Sequence, residues 1–155
     1  MTPGPRAKRG HRLALTVQFA SRAAHLPSRR QLRRWASAAL AQDAEVTLRI
    51  VGAAEGRRLN REFRGKDSPT NVLTFAYPEQ RPLTGDIVLC APVVRQEAEA
   101  QDLSVAAHYA HLVVHGMLHL QGYDHERAAA AQVMESLESE IVTQLGYPDP
   151  NAIQA

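Results

Sequence analysis

Three histidines fall in the segment HGMLHLQGYDH, residues 115–125: His115, His119 and His125. Residues four apart on a helix share a face, so His115 and His119 can aim two imidazoles at one ion. Gly122 breaks the helix and lets the chain turn back, bringing His125 as a third ligand. Three nitrogen donors leave one position of a tetrahedral Zn²⁺ open for water, the mark of a catalytic site. A structural site would close that position with Cys or His, and no cysteine lies nearby in the sequence.

The spacing is shared with zinc peptidases of the pattern H-E-x-x-H-x-x-G-x-x-H, whose glutamate deprotonates the attacking water and passes the proton to the leaving amine. Gly116 stands where that glutamate would be. It can do neither, so peptide hydrolysis is disfavoured, and it is expected to leave room beside the metal. Asp124 adjoins His125 and can orient a ligand. His111 repeats the four-residue spacing, but a helical rise of about 12 Å separates it from His119. It is therefore assigned to the substrate or to the surroundings of the ligands. His108 reads as an ordinary packed or surface histidine.

A phosphodiester substrate asks for a metal and also for a cation that holds the phosphate. The segment FRGKDSPTNVLTF, residues 63–75, offers Arg64 and Lys66 in a Gly- and Pro-containing loop at the mouth of a strand. The planar guanidinium of Arg matches phosphate in a two-pronged way that Lys does not. Lys66 and Asp67 fit a structural turn equally well, with Asp67 pairing a neighbour.

These residues need elements to place them. LALTVQFA (13–20), EVTLRIV (45–51), VLTFAY (72–77) and GDIVLC (85–90) read as strands. Ser28 caps a helix running through Ala41, with Leu32, Trp35, Ala36, Ala39 and Leu40 on its apolar face. Its first turns crowd Arg29, Arg30, Arg33 and Arg34, against the helix dipole; they either meet an anion or form a solvated face. A short helix over 53–64 points Leu59 and Phe63 inward. Further helices span 92–101, Ser104 to Gln121 with the histidines, and 126–146. The order β-α-β-α-β-β-α-α-α implies an α+β fold in a single domain, a mixed sheet of about four strands packed with about five helices. Residues 1–12 read as a disordered basic tail, 13–147 as the domain and 148–155 as a C-terminal tail.

The chain has 155 residues and one cysteine, Cys90, so no intrachain disulfide forms and a reducing cytoplasm fits. Cys90 reads as a small buried core residue. No apolar run reaches the about 18 residues of a membrane span, and the N-terminus lacks a secretory pattern. Residues 1–64 carry 14 Lys and Arg against 4 Asp and Glu, and the remainder 4 against 12. A basic half argues for a polyanionic partner.

Taken together and in order, FRGKDSPTNVLTF, GDIVL (85–89) and HLVVHGMLHLQGYDH (111–125) resemble the YbeY family of bacterial endoribonucleases. The likeness covers about residues 45–146 and leaves the arginine-rich helix outside the signature. It implies a metal-dependent, single-strand-specific endoribonuclease acting in 16S rRNA 3′-end maturation and ribosome quality control, and the ligand type makes the metal zinc. One Zn²⁺ per chain would sit on His115, His119 and His125. Arg64 and His115 would be catalytic, and Arg64, Lys66 and His111 would bind substrate. Single-stranded RNA, rRNA and the small ribosomal subunit are the implied partners, in the cytoplasm and away from membranes. Two other classes stay open: a non-enzymatic ribosome-assembly factor with a structural zinc, and a metallopeptidase, disfavoured by Gly116.

Overall fold

The computed structural model describes residues 10–123 and 127–152. Its elements are β1 (Leu13–Ala20), α1 (Arg29–Ala38), β2 (Ala44–Val51), α2 (Ala53–Arg64), β3 (Val72–Ala76), β4 (Leu83–Cys90), α3 (Ala91–Ala100), α4 (Val105–Leu120) and α5 (Ala128–Gln144). Order and type match the sequence reading. Helix α1 stops short of Ala41 because Ala39 leaves helical geometry, and the amides of Ala39 and Leu40 close the last turn on the carbonyls of Ala36 and Ser37.

The four strands form one sheet in the order β1-β2-β4-β3. Strands β1, β2 and β4 are parallel, and β3 lies antiparallel at the edge beside β4. Alternate side chains of a strand point to opposite faces, and the two faces meet different helices. Val46, Leu48 and Ile50 of β2 and Ile87 and Leu89 of β4 join the larger core with residues of α1, α4 and α5. Val51, Leu73, Val88 and Cys90 form a smaller core with Leu59 of α2. The helices that follow the neighbouring strands β1 and β2 therefore pack on opposite faces of the sheet. Cys90 is a buried core thiol, as expected.

The arginines of α1 have partners. Ser28 and Gln31 form a reciprocal capping box at its start. Arg29 donates to the Val17 carbonyl at 2.9 Å and lies 5.2 Å over the Phe19 ring. Arg33 reaches the Leu13 carbonyl at 3.5 Å, and Arg34 the Leu145 carbonyl at the C-terminal end of α5 at 3.3 Å. These guanidiniums satisfy carbonyls of the edge strand β1 and of a helix end, which offsets their poor fit to the dipole of their own helix.

Helix α4 positions the histidines. Ser104 caps it by accepting from the Ala107 amide at 3.0 Å. Most of its length is buried, from Ala107 to Leu120, as fits a helix flanked by α1, α3, α5, β3 and β4. It runs close against β4. A Cβ on Gly116 would lie 3.1 Å from two carbons of Ile87, and a Cβ on Gly85 would lie 2.6 Å from Leu120 and 2.9 Å from the Phe75 carbonyl oxygen. The expectation that Gly116 leaves room beside a metal is thus overturned, because the missing side chain would point into the sheet. Among the described residues no helix is long and apolar enough to cross a membrane.

Installing the peptidase glutamate tests this packing. Gly116→Glu would drive a carboxylate into Ile87, and urea unfolding should show a loss of about 3 kcal/mol or more, with no gain of peptide hydrolysis.

Candidate metal centre and substrate cavity

His115 and His119 lie on one face of α4, one turn apart. Their rings are parallel to within 5°, with centroids 6.5 Å apart. Both line a cavity of about 550 Å³, together with Phe63 and Arg64 from the end of α2 and residues of the 70–75 segment. Arg64 is the last residue of α2. Gly65 follows in the left-handed region at φ 74 and ends the helix, its amide bonding back to the Arg61 carbonyl. The sequence-assigned Arg64, His115 and His119 are thus brought to one cavity, although they come from different elements.

The loop after Arg64 is tied to α2. Asp67 accepts two hydrogen bonds from Arg57, both at 2.8 Å, and a weaker one from Arg61 at 3.5 Å. The Arg57 hydrogen bond holds the Asp67 carboxyl below its usual range. Buried Asn60 donates to the Ser68 carbonyl at 2.7 Å. Asp67 therefore follows the structural reading: it clamps the loop. Exposed Lys66 is not among the cavity-lining residues.

Behind the cavity stands Glu138 of α5, which the sequence reading did not single out. Its side chain is 4% exposed and is hydrogen-bonded to Nδ1 of His115. Its other oxygen is 3.7 Å from Nε2 of His111 and accepts from Asn151 at 3.2 Å. Asn151 also donates to the Glu135 carbonyl at 3.1 Å, so the segment after α5 braces the carboxylate. Burial raises the Glu138 pKa, but hydrogen bonds and charge from His111 and His115 outweigh it and bring the carboxyl to about 2. A carboxylate on the far nitrogen of a histidine fixes its tautomer and its orientation toward an ion.

The donor chemistry fits a divalent ion. Nδ1 of His115 is held by Glu138 and Nδ1 of His119 is buried, so Nε2 is the nitrogen each could offer to an ion. His111, His115 and Glu138 also bring ligand atoms within 4.8 Å of one another, a cluster that could itself hold an ion. His111 belongs to this cluster and does not line the cavity of Arg64. His125 and Asp124 lie outside the described residues. His108 is a packed histidine, as read: its Nε2 is 2.8 Å from Glu97, which also accepts from Asn71 at 2.9 Å.

Phe63 corrects the sequence reading. It does not turn inward but is 62% exposed. It meets Phe75 edge-to-face, ring centroids 5.0 Å apart, and both line the cavity. Leu59 alone of the pair joins the small core under α2. An aromatic pair beside a guanidinium, with the Phe63 ring exposed and Phe75 half-buried, suits a substrate with flat faces and negative charge.

The chain matches a family model described as Endoribonuclease YbeY over residues 18–146. That span takes in α1 and the last three residues of β1, beyond the reach of the sequence signature. Among curated relatives, an Endoribonuclease YbeY of Nitrosomonas eutropha is 60% identical over 140 residues, covering 90% of this chain and 99% of the relative. Another, from Chromobacterium violaceum, is 56% identical over 152 residues, covering 93% and 90%. A solution structure from Thermotoga maritima matches with a TM-score of 0.56 at 24% identity, covering 90% of this chain and 99% of that one. This last likeness concerns the fold.

Two outcomes test Glu138. Glu138→Gln should leave a folded protein whose Zn²⁺ affinity, read by competition with a chromogenic chelator, falls about 10–100-fold. In metal-free protein the ionised carboxylate, with its pKa depressed to about 2, adds stability that is fully present above the ordinary carboxyl range. That stability drains as pH falls from about 4.5 through the folded value, and the Gln variant should lack this part of the pH–stability curve.

Proposed function

The chain belongs to the YbeY endoribonuclease family, and from that premise we propose that it cleaves single-stranded RNA in the cavity between Arg64 and the histidine face of α4. It is an endoribonuclease, a hydrolase of RNA phosphodiester bonds, acting in rRNA processing. The finer reading is maturation of the 16S rRNA 3′ end and ribosome quality control in the cytoplasm, on the small ribosomal subunit. The observation that carries the site is the meeting of Arg64, His115 and His119 in one cavity.

His115, His119 and, by its spacing, His125 would hold one ion per chain. Imidazole donors favour Zn²⁺ among abundant divalent metals. When bound, such an ion lowers the pKa of a water or polarises a phosphoryl oxygen. The protein supplies the rest. Glu138 keeps His115 in one tautomer. Arg64 meets the charge that grows on the non-bridging phosphate oxygens, and the Asp67 clamp behind it keeps the loop in place. Phe63 and Phe75 offer faces on which unpaired bases stack, which paired bases inside a duplex cannot do. Gly116 gives no side chain to serve as a peptidase base, and its direction into Ile87 bars one.

Metal analysis beside a single-stranded RNA cleavage assay separates the roles. His119→Ala should lose metal and cleavage together. If it kept a full equivalent of metal, the ion would sit on His111, His115 and Glu138 instead. Arg64→Ala should keep its metal and lose activity by about 10²–10³-fold. Undiminished cleavage by metal-free His119→Ala would overturn the reading. Phe63→Ala should raise KM more than it lowers kcat, measured on an unstructured oligonucleotide.

A further inference from the structure

A second cavity, of about 260 Å³, opens at the carboxyl ends of the parallel strands. It lies between the β1–α1 loop, Gly52 ahead of α2, and the first turns of α3, with Tyr109 of α4 in its wall. The helices after β1 and β2 leave to opposite faces of the sheet, and in open parallel sheets ligands bind in the crevice that such a divergence creates.

Four features make the crevice more than a gap. Tyr109 is 1% exposed, yet its hydroxyl has no hydrogen-bond partner among the described residues. A buried hydroxyl left unpaired is costly, and Tyr109 is among the residues that line the cavity. Burial raises its pKa to about 12, so it is a neutral O–H that can donate and accept. Next, the N-cap of the twelve-residue helix α2 is Gly52, which has no side chain to bond the first-turn amides; Gly52 lines the cavity at that positive helix end. Glu55 in that turn is engaged by Arg49 at 2.7 and 3.0 Å. Third, Arg95 lines the cavity, with a solvent-exposed and loose partner in Glu99 at 3.4 Å. Last, Leu26, Pro92 and Val105 give apolar walls, and neighbouring His25 is held at φ 63, a conformation rare outside glycine.

We propose that this crevice is a binding site for a compact organic phosphate of nucleoside-monophosphate size. The phosphate lies at the α2 N-terminus beside Arg95, the flat apolar part lies against Leu26 and Pro92, and a polar group meets the Tyr109 hydroxyl. The volume is below the ~300 Å³ lower end of ordinary ligand pockets, which excludes large ligands. The two cavities share no lining residue, and six residues of α4, about 9 Å of rise, separate Tyr109 from His115, so the crevice is distinct from the first cavity. The same chemistry can come from a free nucleotide or from the phosphorylated end of an RNA strand.

Calorimetric titration of the full chain with inorganic phosphate, AMP, UMP and a 5′-phosphorylated trinucleotide tests it. Saturable binding of a nucleotide or of the trinucleotide is expected, and whichever binds better identifies the source. Tyr109→Phe and Arg95→Gln should each weaken it roughly fivefold or more, while Arg64→Ala leaves the binding of AMP and UMP unchanged. Tyr109→Phe should melt no lower than the parent, since no protein hydrogen bond is lost. Absence of binding by all four probes at about 1 mM would overturn the proposal. So would binding that Arg64→Ala abolishes and the two crevice variants leave intact, for the ligand would then lie in the first cavity.

Discussion

The close approach of α4 to β4 is the constraint on which the rest of the site depends. Gly116 against Ile87 and Gly85 beneath Leu120 set it. Each glycine removes a Cβ at a point where side chains would hold helix and strand apart. A helix seated this low can carry its histidines only on the flank away from β4, and that flank opens beside β3, where Arg64 and the phenylalanine pair arrive. A bulkier residue at either position would lift the helix and carry His115 and His119 away from the cavity wall. The metal geometry is therefore downstream of an apolar packing decision.

The same low seating brings α5 behind the histidines. A buried carboxylate is costly unless it is paired, and Glu138 is paired on several sides: His115, His111 and Asn151. The benefit of that cost is specificity of orientation. A histidine whose ring can rotate offers either nitrogen to an ion, whereas one anchored at Nδ1 offers Nε2 in a fixed direction. Asn151 lies in the stretch read as a C-terminal tail, yet it reaches both the backbone of α5 and this carboxylate. Chain far from these histidines in sequence thus helps to fix their geometry.

What could be read from the sequence follows from where the signal is local. Histidines at four-residue spacing, Ser28 and Ser104 as caps, Gly122 after the helix and alternating strands all carry their meaning within a few residues, and the nine elements follow in order. Arg64 likewise stands out as a candidate cation from a short segment, and the structure places it at the cavity, at the end of α2. Glu138 had no such signal. It is one of three glutamates within the polar stretch 135–140, and only the packing of α5 on α4 separates it from the other two. Phe63 misled for the opposite reason: an aromatic at helical spacing from Leu59 reads as core. The short strand β3 leaves the end of α2 beyond the sheet's cover, so the ring stays out in the cavity.

The charge asymmetry needs the same correction. The basic half of the chain suggests a broad polyanion-binding surface, but many of its guanidiniums are already committed. Arg29, Arg33 and Arg34 serve carbonyls, Arg49 holds Glu55, Arg57 and Arg61 hold Asp67, and Arg58 faces Glu62. An arginine paired to a carboxylate contributes little net field at a distance, and surface pairs of this kind add little stability either. Affinity for RNA that depends on counterion release scales with the phosphates actually neutralised, not with the arginines in the composition. The arginines bonded to neutral carbonyls keep their charge, but at the cavity the electrostatic attraction for RNA should centre on Arg64, with stacking on Phe63 and Phe75 providing the part that salt does not screen.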